Sequence, residues 1–270
     1  MNIRIFFATT LVWLFCVSTA LHSQQRILVL GWNVESDDNS PMVIARQLES
    51  LEGYDIIGLS EVKEKNAALY AAALSYGEGA YGKQSDFQYA LGATGGADRL
   101  MIVWDDTRFE KIGDAVEIDS LNRGRHRAPF YAHFRLRKSA VEFLFMVNHL
   151  ARADAEFRQR QAKGLAAWSR QQSLPILAVG DYNFDYNIDD GQGNDAFDIF
   201  LNSAFEWIRP EPLVKTSLHP LYSGVLDFFF VANMPANWRT SSEILFRDIT
   251  KPDDSEFSDH RPVHGLVFIE

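Results

Sequence analysis

Cysteine is almost absent from this chain of 270 residues, and the single Cys16 lies in an N-terminal apolar segment. The remainder of the sequence therefore offers neither a disulfide nor a catalytic thiolate. It also shows no internal repeat, low-complexity tract or linker, and its longest apolar run is too short to span a membrane comfortably. These absences favour one large globular domain that is stabilised by an extensive hydrophobic core.

The N-terminal segment has the pattern of a targeting sequence. Arg4 precedes an apolar run over residues 5–17, and Ser18-Thr19-Ala20 then provides a small-x-small cleavage site. This order predicts a signal peptide over residues 1–22 and a mature domain over residues 23–270, secreted or periplasmic. An uncleaved anchor is the alternative. We expect the mature chain to be a monomer with no stable membrane span.

An excess of positive charge is also lacking, since the formal net charge is −10. This balance argues against nonspecific binding of polyanions by the protein as a whole. Residues 121–170 nevertheless hold eleven Lys or Arg against three acidic residues, a net of +8 that leaves −18 for the remainder. This basic segment could concentrate an anionic substrate, or it could be solvated charge on a helix and a strand.

The apolar pattern indicates more strands than helices. Strand-like runs cover residues 27–35, 55–61, 99–104, 128–136, 141–147, 176–179, 225–231 and 263–269. Helical spacing appears over residues 42–52, 64–75 and 154–171. Several strands alternate apolar and polar residues, which favours an α+β fold of two packed sheets with helices outside over a doubly wound parallel sheet.

Polar residues of catalytic type end or interrupt strand after strand. An apolar run over residues 176–179 breaks at Gly180 and is followed by Asp181 and Asn183, two residues apart and therefore on one side of an extended chain. Each such residue alone could be a cap, a turn or a hydrogen-bonded core group. Their recurrence at strand ends indicates a single functional site. The set comprises Asn33, Glu61, His149, Asp181, Asn183, Asp227, Asp259 and His260.

Six short motifs follow one another along residues 26–270: Trp32-Asn33, Ser60-Glu61, Asn148-His149, Gly180-Asp181-Tyr182-Asn183, Leu226-Asp227 and Ser258-Asp259-His260. In this combination they resemble the endonuclease/exonuclease/phosphatase superfamily, which includes the DNase I-like nucleases. The resemblance implies a four-layer αββα sandwich with two mostly antiparallel or mixed sheets. It also implies hydrolysis of phosphate esters by in-line attack of water with a divalent metal.

The resemblance also suggests roles for individual residues. Glu61, assisted by Asn33 and Asp259, would bind Mg²⁺, with Mn²⁺ or Ca²⁺ as alternatives; oxygen ligands of this kind suit a hard cation. Arg127 and Asn148 would contact the substrate phosphate. Family members differ in the number of metals and in the identity of the base, so both points stay open here.

The catalytic groups in this comparison are carboxylates, an amide and two histidines. Asp181 would orient or deprotonate the attacking water, and Asn183 would hold water or phosphate. Asp227 would orient His260, which would stabilise charge on the phosphate. On the other side, His149 would bind phosphate or protonate the leaving group, with Asp98 as its partner.

Three substrate hypotheses remain open. A nuclease is favoured by the predicted export and the basic segment, although Gly96 replaces a tyrosine that many DNase-like members carry. A phosphomonoesterase or a sphingomyelinase-like hydrolase of phospholipid headgroups is the second hypothesis; the inositol-polyphosphate 5-phosphatase signature is missing around Asp227. A non-catalytic binding module is the third, and it predicts losses among the motif residues, of which the principal set shows none.

Overall fold

The computed structural model describes residues 25–35, 39–51, 53–76, 86–139, 141–219, 224–245 and 256–269. The predicted signal peptide at residues 1–22 lies outside these ranges, so its cleavage stays a prediction. Within the described ranges, no helix is both long enough and apolar enough to cross a membrane.

Twelve strands among the described residues form two sheets of six strands each. The first sheet has the order β11-β12-β1-β2-β4-β3. Its strands, in chain order, are β1 Gln25–Asn33, β2 Ile56–Val62, β3 Phe87–Leu91, β4 Arg99–Asp105, β11 Arg239–Ile244 and β12 Val263–Ile269. β1 and β2 run parallel, whereas the other neighbours in this sheet are antiparallel.

The second sheet has the order β5-β6-β7-β8-β10-β9. Its strands are β5 Phe109–Glu117, β6 Phe130–Leu136, β7 Glu142–His149, β8 Ile176–Tyr186, β9 Phe205–Trp207 and β10 Val225–Ala232. Here β7 and β8 form the parallel pair. Each sheet thus has a central parallel pair, and the carboxyl ends of the two strands in that pair lie side by side.

Among the described residues, four α-helices cover the outer faces of the two sheets. They are α1 Pro41–Ser50, α2 Glu64–Tyr76, α3 Ala155–Ser169 and α4 Asp195–Leu201. In α3, Asp154 caps the first turn by accepting a hydrogen bond from the backbone N–H of Phe157, which satisfies one of the free donors at the helix start. Phe157, Gln161 and Leu165 recur at helical spacing and are buried, as the sequence pattern predicts.

Three apolar layers hold the sandwich together. The inner faces of the two sheets enclose one cluster, which includes Phe145 and Phe229. The first sheet packs its outer face on α1 and α2, and the second packs on α3 and α4. Phe228 and Phe230 lie in the outer layer while Phe229 lies between the sheets, as alternation along a strand requires. The expected αββα sandwich of the α+β class is therefore confirmed.

The two sheets approach each other closely at Val179 of β8. A Cβ atom on Gly58 would lie 2.6 Å from Val179 Cγ2, and one on Gly31 would lie 2.6 Å from Val179 Cβ. Both distances are far below van der Waals contact, so each position requires glycine for packing reasons. This contact fixes β1 and β2 against β8, two residues before Asp181.

β8 differs from the sequence expectation, because the strand continues through Gly180 to Tyr186. Gly180 has a φ of +135°, and a Cβ there would lie 2.0 Å from the backbone oxygen of Asn148. Glycine therefore lets the extended chain pass close to β7 where any other side chain would end the strand. The short helix α4 was also not apparent from the sequence pattern.

Candidate active site

The ends of the central strands bring the predicted residues to one edge of the sandwich. Asn33 closes β1 and Glu61 lies near the end of β2, at a register shift where Glu61 adopts a φ of 60°. Such a bulge redirects a side chain and occurs often beside active sites. The Asn33 amide donates hydrogen bonds to Glu61 Oε1 at 3.0 Å and to Asp181 Oδ2 at 3.2 Å. One amide therefore links the two sheets across the cleft.

His149 and Asp181 are cross-strand neighbours at the ends of β7 and β8. His149 Nε2 lies 3.5 Å from Asp181 Oδ2, and His149 Nδ1 lies 3.7 Å from Glu61 Oε1. Nδ1 is buried and makes no hydrogen bond to any described residue. Burial, reinforced by the charge of Arg127, lowers the pKa of His149 well below its usual value.

Asp181 is held by its own strand. Its Oδ1 accepts a hydrogen bond from the backbone N–H of Asn183 at 2.9 Å, which leaves Oδ2 facing the cleft. Asn183 has a φ of 50°, and its side-chain amide donates to the Leu150 backbone oxygen at 3.1 Å. Burial and the nearby charge of Asp227 raise the pKa of Asp181 to about 7. A carboxylate in such a position can accept a proton near neutral pH.

His260 and Asp227 form a buried hydrogen-bonded pair, with His260 Nδ1 at 2.7 Å from Asp227 Oδ2. His260 Nε2 then points toward Asp181 Oδ2 at 4.0 Å and Asp259 Oδ1 at 3.6 Å. Burial alone would disfavour the imidazolium, but the carboxylates of Asp227, Asp181 and Asp259 outweigh it and raise the pKa of His260 well above its usual value. The predicted orientation of His260 by Asp227 agrees with this geometry.

The motif residues beside these groups hold the loop before β12 against β1. Ser258 Oγ donates to the Asn33 backbone oxygen at 2.6 Å and accepts from the His260 N–H at 3.0 Å. The Trp32 indole N–H donates to the His260 backbone oxygen at 2.9 Å. The Trp-Asn and Ser-Asp-His motifs thus form one hydrogen-bonded unit, although residues 33 and 258 are far apart in sequence.

Arg127 lies at the rim of the site. Its Nη2 is 3.8 Å from Glu61 Oε1 and 3.6 Å from Asp98 Oδ2, and its Nε donates to the Asp98 backbone oxygen at 3.1 Å. Asp98 therefore lies beside Arg127. The carboxylates within 4 Å of the His149 ring nitrogens are those of Glu61 and Asp181. Asp98 was predicted to be the partner of His149, but Nδ1 of His149 makes no hydrogen bond to any described residue.

Asn148 is the one predicted site residue that the structure turns away from the cleft. It is fully buried, and its amide donates to the Tyr182 hydroxyl at 3.0 Å in the layer beneath α3 and α4. Neighbouring residues of a strand point to opposite faces, so Asn148 faces away when His149 faces the cleft. We therefore assign Asn148 no phosphate contact.

The cleft has a volume of about 190 Å³, and its lining adds residues that the sequence did not single out. These are Glu35, Arg152 and Ser217, which lie beside Leu226 of the Leu226-Asp227 motif. Glu35 accepts a hydrogen bond from the Asp259 N–H at 2.6 Å, and burial followed by the charge of Asp259 raises its pKa to about 7. The only feature of the sequence that could have indicated Glu35 is its position two residues after Asn33. No feature of the sequence indicates Ser217, because only its tertiary pairing with His260 brings it to the cleft.

The acidic lining fits a divalent cation. Glu61, Glu35 and Asp181 all have raised pKa values, chiefly because burial disfavours their charged forms and secondly because other carboxylates lie nearby. A bound cation would offset that clustering of negative charge. Asp181, Asp227 and His260 also place three ligand atoms within 4.8 Å of one another. The Asn33 amide oxygen accepts from the Glu35 N–H at 3.0 Å, while its amide nitrogen donates to the Glu61 and Asp181 carboxylates. Asn33 therefore orients carboxylates in this arrangement, and its role as a metal ligand stays a prediction.

Comparison with known proteins places the chain in a family. The fold and the cleft together define the DNase I-like class of α+β sandwich proteins. Residues 30–260 match the model of the Endonuclease/Exonuclease/phosphatase family, and the chain belongs to that family. It is therefore a hydrolase of phosphoester bonds from a family that depends on divalent metals. A search of curated proteins found no match.

Solved structures of low sequence identity share the fold. A Bacteroides thetaiotaomicron protein of the same family is 16% identical with a TM-score of 0.67, covering 92% of this chain and 96% of its own. A mannosyl-6-phosphatase of that organism is also 16% identical, with a TM-score of 0.65 and coverage of 90% and 100%. D. rerio TDP2 complexed with a single-strand DNA product is 15% identical, with a TM-score of 0.68 and coverage of 91% and 99%.

Proposed function

We propose that this chain is an exported, Mg²⁺-dependent phosphodiesterase that hydrolyses nucleic acid. The observation that carries the proposal is the arrangement of Asp181, which faces the His260–Asp227 pair on one side and the Glu61–Asn33 pair on the other. A phosphate between these groups would meet a proton acceptor, a cationic imidazole and a metal-binding carboxylate together.

Glu61 and Asp259 are the groups that would hold Mg²⁺, since hard carboxylate oxygens with retained waters suit this ion. When bound, the metal would polarise a nonbridging phosphate oxygen and offset the charge that develops on it. Glu35 fixes Asp259 through the hydrogen bond from the Asp259 N–H, and Asn33 orients Glu61.

Asp181 is the proposed proton acceptor for water. Its Oδ1 is fixed by the Asn183 N–H. Oδ2 accepts a hydrogen bond from the Asn33 amide and would use its remaining lone pair to take a proton as the water oxygen bonds to phosphorus. The bond from phosphorus to the leaving oxygen breaks in the same in-line displacement. The imidazolium of His260 stabilises the developing charge, and His149, whose Nδ1 has no described partner, donates a hydrogen bond to a phosphate oxygen.

Nucleic acid is preferred as substrate because the rim of the cleft is cationic. Arg127 and Arg152 lie at the site although the chain as a whole is acidic. Among the solved structures, that of D. rerio TDP2 is described as complexed with a single-strand DNA product, which supports the same class of substrate. The predicted lipid-headgroup alternative has less support, since Phe228, Phe229 and Phe230 are all fully buried and offer no membrane-facing surface.

A phosphomonoesterase is the second candidate. The cleft of about 190 Å³ is small and acidic, which suits a compact ester, and one of the similar structures is a mannosyl-6-phosphatase. The two candidates share the same hydrolytic groups and differ in what lies beyond the scissile phosphate.

The test is a substrate panel for the purified protein in Mg²⁺, Mn²⁺, Ca²⁺ or EDTA. The panel holds plasmid DNA, single-stranded DNA, RNA, bis(p-nitrophenyl) phosphate, p-nitrophenyl phosphate and sphingomyelin. We expect Mg²⁺-dependent cleavage of nucleic acid that EDTA abolishes. Fast turnover of the monoester with intact nucleic acids would support the second candidate, and no hydrolysis at all would indicate a binding module.

Export is a separate part of the proposal, and it depends on the targeting pattern of residues 1–22. N-terminal sequencing of the protein recovered from the periplasm or the culture medium tests it. A mature terminus close to residue 23 supports export, whereas an intact N-terminus in the membrane fraction supports the uncleaved anchor.

A further inference from the structure

The basic segment of residues 121–170 separates into two groups in the folded protein. At one end of β6, Arg135 pairs with Glu142 at 2.7 Å and with Glu110 at 3.2 Å, and Arg137 pairs with Asp106 at 3.0 Å. These ion pairs account for the first group as surface charge. The second group lies around the loop that precedes β6, which leads directly to Arg127 at the cleft. It contains one ion pair, between Arg123 and Asp154.

The second group forms a surface that we call the arginine face, made of Arg123, Arg125, Arg152 and Arg160. All four side chains are exposed. Arg152 lines the cleft itself. The face therefore begins at the active site.

The side chain of Phe157, in the first turn of α3, lies beneath the arginine face and packs against several of its residues. The guanidinium carbon of Arg123 lies 4.6 Å from the ring centroid, and that of Arg160 lies 5.5 Å from it. The His126 ring packs on the same side chain with centroids 4.9 Å apart. Stacking on one buried ring restricts these side chains before any ligand binds, which lowers the entropic cost of binding.

We propose that the arginine face binds the phosphates of a nucleic acid strand that lie next to the scissile phosphate. This inference rests on the proposed function, and it specifies a single-stranded nucleic acid as the substrate class. A monoester places its only phosphate in the cleft and cannot reach the loop of residues 123–125. A strand carries further phosphates beyond the cleft, and guanidinium groups bind phosphate oxygens through paired N–H donors.

A single strand suits the face better than a single anion for a second reason. A guanidinium group that packs over an aromatic ring can present its other side for stacking by a base. A surface that combines such groups with positive charge is the general means by which single strands are bound without sequence preference.

The experiment compares an Arg123→Gln/Arg125→Gln variant with a matched control, Arg135→Gln/Arg137→Gln, which removes the same charge from the other half of the segment. Binding of a fluorescein-labelled single-stranded DNA 20-mer is measured by anisotropy in EDTA over a series of salt concentrations. The first variant should bind about tenfold more weakly or worse. Its slope of log K against log salt should fall by about 1.4, since a single strand loses about 0.7 per phosphate contact. The control should retain the wild-type affinity and slope.

Hydrolysis of bis(p-nitrophenyl) phosphate separates this inference from the proposed function. The Arg123→Gln/Arg125→Gln variant should keep the wild-type kcat/KM on this small diester while it loses activity on the 20-mer. Equal losses on both substrates, or equal binding of DNA by the two variants, would refute the proposal that the arginine face binds the strand. If phosphatidylserine vesicles compete as strongly as unlabelled DNA, the surface binds membranes, and the proposal is refuted as well. Failure of the wild-type protein to hydrolyse any ester would contradict the proposed function, while the EDTA binding result would still decide the inference.

Discussion

Replacing Gly58 with alanine should destabilise the protein by forcing apart the two sheets that carry the active site. The added Cβ would lie 2.6 Å from Val179 Cγ2 and 3.1 Å from Val147 Cβ. Gly58 does not have a positive φ, so the cost arises from packing alone. Overpacking of this kind costs about 1–3 kcal/mol. With an m-value on the order of 3 kcal/mol/M in urea, a loss of 2 kcal/mol lowers the unfolding midpoint by roughly 0.7 M.

A second substitution makes this prediction specific. Val179→Ala alone should cost about 2 kcal/mol, because it removes two buried methyl groups. In the Gly58→Ala/Val179→Ala double variant, the clashing Cγ2 atom is gone. The combined loss should therefore be smaller than the sum of the single losses by about 1–2 kcal/mol.

Gly31 supplies the control for the same cycle. Its added Cβ would meet Val179 Cβ at 2.6 Å, and that atom remains in alanine. Val179→Ala should therefore give Gly31→Ala little rescue, with a coupling of about 0.5 kcal/mol or less. Urea unfolding followed by tryptophan fluorescence measures all five variants. Additive losses in both cycles, or equal rescue in both, would refute the close approach of β1 and β2 to Val179.

Two further predictions concern stability, and one concerns assembly. Burial lowers the pKa of His264, which contacts the Tyr54 hydroxyl at 3.1 Å, although Glu243 acts in the opposite direction. The unfolded chain then binds a proton that the folded chain does not, so the free energy of unfolding should fall as pH drops below about 6.5. Urea titrations at several pH values should show a smaller fall for the His264→Gln variant than for the wild type. An equal fall in the two proteins would exclude His264 as a cause. Tyr182→Phe removes the hydroxyl that accepts from the Asn148 amide and should lower the free energy of unfolding by about 1–3 kcal/mol, with an unchanged KM. A raised KM would indicate that Asn148 does contribute to substrate binding. Light scattering after gel filtration should give a monomer, and a dimer mass would contradict that expectation.

Eight of the twelve described strands could be predicted from the sequence, because a buried strand has a recognisable apolar pattern. The four that were missed, β3, β5, β9 and β11, are the edge strands of the two sheets. The runs at residues 27–30, 176–179 and 225–231 all fall within observed strands. The alternation of apolar and polar residues also indicated two packed sheets. The parallel pairing of β7 with β8 depends on contacts between distant residues, and the apolar pattern did not indicate it. α4 was missed because its seven residues, two of them aspartate, are too few to show a clear helical periodicity.

The residues of the candidate site were easier to predict than their directions. Strand ends place His149 and Asp181 side by side, and this much follows from the motifs. The alternation that turns Asn148 away was also readable from the strand, since Asn148 and His149 are adjacent. By contrast, the bulge at Glu61 and the pairing of Asp98 with Arg127 depend on backbone conformations that no local pattern recorded.

The central claim is that phosphoester hydrolysis takes place at Asp181, and an isosteric substitution tests it most directly. Asp181→Asn keeps the shape of the side chain but removes the proton acceptor, and general-base catalysis is worth about 10²–10⁴-fold. Asp185→Asn is the matched control, because Asp185 lies on the same strand with its side chain 49% exposed and does not line the cleft. With bis(p-nitrophenyl) phosphate and Mg²⁺, we predict that Asp181→Asn loses at least about 100-fold in kcat while Asp185→Asn stays close to wild type. Equal activity in the two variants would contradict the account.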